Sequence, residues 1–323
     1  MLYNSQALAQ AATLACLLEV SAEKPGNVTP TRSFRDMTYE DFLWSAVAIG
    51  PEMGRAGERG VGETILAAVE ATRRVTRANT NLGLVLLLAP LAKAARQLTG
   101  VSHQSSVASR QSSVVSHQSP VEETSDQENG LRITHFVLRE SFRAELHNVL
   151  HSLTVEDAKA AYAAIRQTFP GGLQERVERH DVRDEPTVTL RQAMAEAVGR
   201  DSIAAEYLTD FAIVFERGLP ALEAALARGL PCREAVTQTY LELLAAEPDS
   251  LIARKLGQAA AMSVSYAAAR VLAADGVFSA EGRQAAVAFD GELRDPENAL
   301  NPGTTADLTG AVLFVALLLG IGI

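Results

Sequence analysis

The most constraining feature of this sequence is its last segment, residues 308–323, which is almost entirely apolar. A helix that is apolar on every side must be buried, either in a protein core or in a membrane. The segment has 16 residues, fewer than the roughly 20 that a helix needs to cross a bilayer. It also follows a polar helix start at residues 304–307. We therefore predict a helix buried in the core of a globular protein and not a membrane anchor.

Apolar residues recur at helical spacing along the rest of the chain. Leu8, Ala12 and Ala15 lie on one helical face, and Ala158 begins a second stripe of this kind. Aromatic residues make up only 5% of the chain, and no run of alternating residues bounded by hairpin turns indicates a sheet. Further helices are predicted near 38–57, 60–77, 82–97, 139–150, 190–209, 211–228, 232–246, 250–274 and 304–320. The predicted fold class is all-α.

One Ser-rich stretch interrupts this pattern. At residues 102–119, 8 of the 18 residues are serine, and too few large apolar groups are present to offset the entropy of ordering the chain. We predict a disordered surface insertion at about 99–130 between two helices of one domain. Residues 1–323 are then a single, bundle-like catalytic domain with a buried C-terminal helix.

Charge and cysteine content limit the function classes. The formal net charge of −10 and the absence of a basic cluster argue against a nucleic-acid binder. A nucleotide substrate remains compatible, because carboxylates commonly hold the magnesium that accompanies a phosphate chain. Two cysteines, Cys16 and Cys232, cannot build a disulfide framework, and the first 20 residues lack the basic start of a signal peptide. We expect a cytoplasmic protein without a membrane partner, and a homodimer is a further expectation.

A polar group near the start of the chain is the first candidate for a site. Glu19 occupies the buried stripe of its helix, where an unpaired carboxylate is costly. Lys24 opens a Pro-Gly turn that ends at Asn27. The turn could hold a phosphate against a metal-binding carboxylate, whereas the structural alternative for Glu19 is a salt bridge or a helix-end charge.

Amide and hydroxyl side chains mark two helix starts. Asn79 and Asn81 separate two helices, where they serve either as a helix stop and N-cap or as a site for phosphate or ribose. Residues 301–307 open the C-terminal helix. Thr304 and Asp307 have the spacing of a variant capping box, while the same turn presents backbone donors to an anion.

Two later segments carry further candidates. His180 and Asp181 are adjacent in a polar loop and could act as acid–base partners or metal ligands. Asp249 precedes a long helix, so its default role is an N-cap. Lys255 follows in that helix, beside Arg254, and could reach a bound phosphate. The chain has no GxGxxG, GxxxxGK[ST], HExxH, GxSxG or CxxC motif, so a nucleotide would be held by helix ends and carboxylate-bound magnesium.

Taken in order, these segments resemble the triphosphoribosyl-dephospho-coenzyme A synthase family. The motifs that carry the resemblance are Glu19, KPGNV (24–28), Asp36-Met37 with DFLWSAVAIGP (41–51), GVGETILAAVEATR (60–73), NTNLG (79–83), PGGL (170–173), HDV (180–182), PDSLIARK (248–255) and NPGTTADL (301–308). They span nearly the whole chain except the Ser-rich stretch.

The resemblance implies a pentosyltransferase that moves the triphosphoribosyl group of ATP to the 2′-hydroxyl of 3′-dephospho-coenzyme A and releases adenine, with Mg²⁺ as cofactor. On this basis we assign catalytic roles to Glu19, His180 and Asp181 and metal binding to Asp36, Asp249 and Asp307. The substrate-binding residues are then Lys24, Asn27, Asn79, Asn81, Arg254, Lys255, Asn301, Gly303 and Thr304.

The sequence departs from the family pattern near the expected phosphate site. Members of the family usually read KPGLVD and NTHKG, whereas this chain has Thr29 in place of the acidic residue and Asn81-Leu82 in place of the His-Lys pair. The acceptor is therefore left open. Alternatives are a related ATP- or sugar-phosphate-dependent step in the biosynthesis of another coenzyme, such as a one-carbon carrier, and a non-catalytic helical nucleotide-binding protein.

Overall fold

The computed structural model describes residues 3–98, 123–168 and 179–323, with side chains of the fifth helix described from residue 136 onward. These ranges contain fourteen α-helices and no β-sheet, apart from one isolated bridge between Thr29 and Arg32. The all-α prediction is confirmed. The helices are α1 (Ser5–Ser21), α2 (Tyr39–Gly54), α3 (Val61–Val75), α4 (Leu82–Gln97), α5 (Glu123–His151), α6 (Val155–Thr168), α7 (Leu190–Ala195), α8 (Ser202–Leu208), α9 (Leu219–Ala227), α10 (Cys232–Ala246), α11 (Ser250–Leu256), α12 (Gln258–Ala273), α13 (Ala280–Leu293) and α14 (Gly303–Leu319).

Helix α14 lies at the centre of the fold, as its composition predicts. Of its 17 residues, 14 are buried, including the large side chains of Leu313 and Phe314. It packs against α1, α4, α9 and α10, among other helices. Gly310 permits the close approach of α4, because a Cβ there would meet Leu84 Cδ1 at 2.8 Å. This packing places the N-terminal turn of α14 beside the start of α4.

A second, smaller core joins helices α10 to α13. Tyr240, Ile252, Val264 and Phe289 are among its buried side chains. This group of helices packs beside the main bundle through α10, which contacts both α14 and α1. It thereby brings α11 close to the N-terminus of α14.

Two predicted long helices are each divided in the structure. The helix predicted over 250–274 is wrong as a single element, because Gly257 adopts a φ of +89° and separates α11 from α12. The helix predicted over 190–209 is likewise interrupted at residues 196–201, where Asp201 caps the start of α8. Apolar spacing continues across both breaks, so periodicity alone did not reveal them. The sequence also did not predict α13 (Ala280–Leu293).

The helix predicted over 211–228 begins differently from the prediction. Its first turn is a π-helix, Ile213–Gly218, which continues into α9. Glu206 is fully buried beneath this turn, and its two carboxylate oxygens accept hydrogen bonds from the backbone N–H groups of Ile213 (2.9 Å) and Val214 (3.0 Å). Burial raises the pKa of Glu206 to about 7.

The predicted disordered insertion falls largely outside the described residues. Residues 99–122 are not described, and residues 123–130 belong to α5. Over the described ranges, helices that combine the length and the apolar character needed to cross a bilayer are not found.

A glycine contact between α3 and α6 gives a test of the packing. We expect Gly62→Ala to lower the free energy of unfolding by about 1–3 kcal/mol, because its Cβ would collide with backbone atoms of Asp157 that cannot move aside independently. Chemical denaturation measures the change. Gly199→Ala is the matched control, since no atom lies within 4 Å of the added Cβ there; equal stability losses in the two variants would contradict this packing.

Candidate active site

A cavity of about 640 Å³ opens where α1 ends and where α4 and α14 begin. Its walls also include the end of α11 and the segment between α3 and α4. Eleven of the fifteen residues proposed from the sequence line it. They are Glu19, Asn27, Asp36, Asn79, Asn81, Arg254, Lys255, Asn301, Gly303, Thr304 and Asp307. The fold thus brings together segments that are almost 290 residues apart in the sequence.

Asp307 links the two helix starts at the base of this cavity. The backbone N–H of Leu84, in the first turn of α4, interacts with its carboxylate and lowers its pKa, against the larger effect of burial. Gly83 is required beside it, because a Cβ at that position would collide with Asp307 Oδ2. The predicted capping box of Thr304 and Asp307 is wrong, since the N-cap of α14 is Pro302 without a side-chain hydrogen bond. Asp307 thus faces the start of α4 and does not cap its own helix.

Glu19 and Lys24 form a buried ion pair at the end of α1. Lys24 Nζ lies 3.0 Å from Glu19 Oε1, and it also donates to the backbone carbonyls of Glu19 and Ala22. Lys24 is 1% exposed and lies behind Glu19, so that Glu19 lines the cavity while Lys24 does not. The salt bridge given as the structural alternative for Glu19 is therefore present.

The turn that follows Lys24 is fixed by the second core. Gly26 has a φ of +78°, and a Cβ there would lie 2.8 Å from both Leu293 and Pro302. Asn27 Nδ2 donates to Tyr240 Oη (2.9 Å), and Tyr240 Oη donates to the carbonyl of Pro25 (2.7 Å). Asn27 is thus held in the cavity wall by a tyrosine of α10.

The carboxyl groups of Glu19 and Asp307 are electrostatically coupled. Burial raises the pKa of Asp307 well above its ordinary value, and the charges of Glu19 and Asp249 raise it further. Burial also raises the pKa of Glu19, while the neighbouring Lys24 opposes that rise. Two carboxylates in a closed site repel each other, and a bound divalent cation reduces this repulsion. Mg²⁺ prefers oxygen ligands such as carboxylates. The donor type therefore suits magnesium, and magnesium binding here stays a prediction.

Asp249 lies in the wall behind the cavity and joins two helices. Its Oδ1 accepts from the N–H groups of Leu251 (2.9 Å) and Ile252 (3.1 Å) at the start of α11. Its Oδ2 accepts from the N–H (2.7 Å) and the hydroxyl (2.8 Å) of Thr305 in α14. The predicted N-cap role is confirmed. Because these four hydrogen bonds occupy both oxygens, Asp249 is better placed to position α14 than to ligate a metal.

His180 and Asp181 line a second, adjoining cavity of about 670 Å³. Asp181 is 3% exposed, and its Oδ1 pairs with Arg183 Nε at 3.2 Å. His180 accepts a hydrogen bond at its backbone carbonyl from Tyr162 (2.7 Å) and adopts a φ of +52°. The structure thus separates these two residues from Glu19 and Asp307.

The two cavities share a wall. The shared residues are Leu86, Ile165, Asp201, Ile203, Arg254 and Lys255. Arg254 Nη1 lies 3.3 Å from Asp201 Oδ2, and Lys255 Nζ donates to the carbonyl of Asn298 (3.2 Å). Burial lowers the pKa of Lys255, and the charge of Arg254 lowers it further.

Among the charged residues of the first cavity, sequence reasoning missed two. Asp201 caps α8 through the N–H groups of Ile203 and Ala204 and holds Arg254; it went unnoticed because the break before α8 was not predicted. Arg77 is exposed at the rim of the first cavity, two residues before Asn79. Its position beside the Asn-rich segment is a signal that could have identified it.

The buried carboxyl of Asp307 predicts how stability depends on pH. Its folded-state pKa is raised, so the folded protein retains a proton at pH values where the unfolded chain, with a pKa near about 3.9, has lost it. Stability is therefore greatest below the unfolded pKa and falls as the pH rises toward the folded pKa. We expect Asp307→Asn to be more stable than the wild type at neutral pH, on the order of 1 kcal/mol, with a weaker dependence on pH.

Thermal and chemical denaturation across the pH range measure this effect without magnesium. Glu58→Gln is the control, because this exposed carboxylate pairs only with the exposed Arg55 in the described contacts. A lower stability of Asp307→Asn at every pH would show that the charged form of Asp307 stabilises the fold.

Known proteins resemble this chain in sequence and in fold. Two proteins from strains of Vibrio cholerae serotype O1, each named "Probable 2-(5''-triphosphoribosyl)-3'-dephosphocoenzyme-A synthase", are 31% identical to the chain over 133 residues. The aligned region is 41% of this chain and 42% of each relative, so the match spans about two fifths of their length.

A crystal structure from Archaeoglobus fulgidus, of a provisionally named triphosphoribosyl-dephospho-coA synthase, has the same fold. It superimposes with a TM-score of 0.58 at 24% identity, over 86% of this chain and 99% of that one. The model of the CitG family, described as ATP:dephospho-CoA triphosphoribosyl transferase, matches residues 5–322. The chain therefore belongs to the ATP:dephospho-CoA triphosphoribosyl transferase family.

Proposed function

We propose that this protein transfers the 5-triphosphoribosyl group of ATP to the 2′-hydroxyl of 3′-dephospho-coenzyme A. The acceptor oxygen forms a bond to C1′ of the ATP ribose, and the bond from C1′ to N9 of adenine breaks. The hydroxyl proton is passed to a base, and adenine takes up a proton as it leaves, so the products are the triphosphoribosyl nucleotide and adenine. Family membership supports this reaction, and the observation that carries it is the pair of buried carboxyl groups in one cavity, Glu19 at the end of α1 and Asp307 in the first turns of α14.

The first cavity has the groups that a triphosphate requires. The N-termini of α4 and α14 present backbone donors and the positive ends of helix dipoles, and Arg77, Arg254 and Lys255 add positive charge. Mg²⁺, held by Asp307 with Asp36 at the rim, would neutralise charge on the phosphates. Asp249 supports this arrangement by fixing the N–H and hydroxyl of Thr305.

Glu19 is the group that we assign as the general base. Its pKa is raised by burial, and a carboxylate with a raised pKa accepts a proton from a hydroxyl more readily than an ordinary one does. The ion pair with Lys24 keeps Glu19 oriented and partly charged. Asn79 and Asn81 lie in the same cavity, where their amides can bind the ribose or the phosphates.

We assign the acceptor to the second cavity. Besides the shared Arg254 and Lys255, it is lined by Arg179, Arg183 and Arg200, which suit the diphosphate of a coenzyme A precursor. Met194 and Leu190 provide an apolar surface beside them. His180 and Asp181 would then act on the acceptor side of the reaction. The two substrates would meet at the shared wall.

The choice of acceptor, the cellular location and the oligomeric state rest on the sequence. Dephospho-coenzyme A is the first acceptor to test, because family membership points to it. Related hydroxyl-bearing coenzyme precursors come next, because Asn81-Leu82 replaces the usual His-Lys pair. A cytoplasmic location and a homodimer stay predictions, the former supported by two free cysteines.

Adenine release tests the reaction and the base together. We expect the wild-type protein to release adenine from ATP and Mg²⁺ only when dephospho-coenzyme A is present, and Glu19→Gln to lower kcat at least about 100-fold, as loss of a general base does. The assay is chromatographic quantification of adenine. Glu58→Gln should retain wild-type turnover. Unchanged turnover in folded Glu19→Gln would remove Glu19 from the mechanism, and release with another acceptor alone would support the alternative coenzyme pathway.

The assignment of the two cavities is tested by a crossed pair of arginine variants. Of the two cavities, Arg200 lines the second but not the first, and Arg77 lines the first but not the second. We expect Arg200→Ala to raise the KM for dephospho-coenzyme A about tenfold and to leave the KM for ATP almost unchanged. A tenfold change corresponds to about 1.4 kcal/mol, close to the contribution of one hydrogen bond to a charged group. Arg77→Ala should show the opposite pattern. Equal effects of each variant on both KM values would contradict the division.

A further inference from the structure

Two imidazoles and a carboxylate meet on the surface at the C-terminal end of α5. His147 and His151 are four residues apart on one helical face, and their ring centroids are 3.8 Å apart. His147 Nδ1 lies 2.8 Å from Asp210 Oδ2. One nitrogen of each histidine and one carboxylate oxygen lie within 4.8 Å of one another. None of these three residues lines either cavity of the proposed active site.

The hydrogen bonds around the cluster leave donor atoms available. His151 Nδ1 donates to the backbone carbonyl of His147 (2.9 Å), which leaves the lone pair on His151 Nε2. A histidine that binds a metal commonly donates its other ring N–H to a carbonyl in this way. Asp210 Oδ1 is buried and, in the described part of the chain, has no hydrogen-bond partner. His151 Nε2 and Asp210 Oδ1 are therefore available to bind an ion.

Asp210 is held in place by its neighbours. Phe211, the next residue, is fully buried, and Arg143 Nε of α5 donates to the Asp210 carbonyl (3.3 Å). Glu206 caps the π-helix that follows. Two anchored segments that are 63 residues apart in the sequence therefore present their side chains to the same point.

We infer that His147, His151 and Asp210 bind a divalent transition-metal ion of the imidazole-preferring type, for which Zn²⁺ is the representative. Two histidines at i and i+4 on a helix are a recurrent zinc-binding arrangement. In a tetrahedral site the ligand atoms each lie about 2.1 Å from the ion and therefore about 3.4 Å from one another. The three donor atoms here lie within 4.8 Å of one another, so the site requires them to move closer when the ion binds. Magnesium, which prefers oxygen ligands, does not suit this set.

The bound ion would link α5 to the loop that precedes the π-helix. That loop connects α8, which borders both cavities through Ile203, to helices that pack on α14. The site stabilises the fold from outside the active site. It is independent of the proposed transferase reaction, because neither substrate reaches it.

Calorimetric titration of the full, chelator-treated chain with ZnCl₂ tests the inference. We expect saturable binding of one ion at this site. The double variant His147→Ala/His151→Ala should abolish it, and Asp210→Asn should raise its Kd at least about tenfold. The control variant His103→Ala/His117→Ala should bind as the wild type does. Absence of saturable binding in the wild type, or unchanged binding in the first double variant, would overturn the proposal.

Thermal unfolding supplies the second measurement. Because an ion that binds only the folded state stabilises it, Zn²⁺ should raise the Tm of the wild type and of the control variant, but not that of His147→Ala/His151→Ala. MgCl₂ at the same concentration should not displace the zinc. Circular dichroism of the metal-free variants establishes that they fold, so a lost response reports on the site. An equal Tm increase in both double variants would contradict a site at these residues.

Discussion

The burial of α14 is the constraint on which the rest of the structure depends. A helix with 14 of 17 residues buried needs neighbours on all sides, and those neighbours enclose its polar first turn together with its apolar body. Asp307 and the Thr304–Thr305 pair are consequently drawn inside the molecule, beside the start of α4. The carboxyl group of Asp307 is buried because hydrophobic burial of α14 outweighs the cost of its desolvation.

Burial of these carboxyl groups lowers the stability of the fold but suits them for cation binding and proton transfer. A carboxyl held in a buried site beside other carboxyls destabilises the fold when it is charged, yet a group of that kind is what binds a hard cation or accepts a proton near neutral pH. The protein offsets the cost locally. Lys24 neutralises Glu19, four donors satisfy Asp249, and the N–H of Leu84 reaches Asp307.

Much of the fold and of the candidate site could be predicted from the sequence, for identifiable reasons. The all-α class and the central helix follow from composition and from the length of an apolar run. Polar residues at helix starts pointed to the cavity because such positions are costly to bury without a function.

What could not be predicted depends on tertiary geometry. Nothing local distinguishes Lys24 behind Glu19 from a lysine that faces a substrate, and the break at Gly257 is hidden because apolar spacing continues through it. The cross-helix bond from Asp307 to Leu84 requires knowledge of which helix starts meet.

The wall between the two cavities has a thermodynamic consequence. Arg254 and Lys255 line both, so the same two positive charges are available to polyanions on either side. An anion in one cavity would change the affinity of the other for a second anion, and by linkage the change in binding free energy would be the same in both directions. On the assignment of ATP and the acceptor to these cavities proposed above, the affinity for one nucleotide would depend on whether the other is bound.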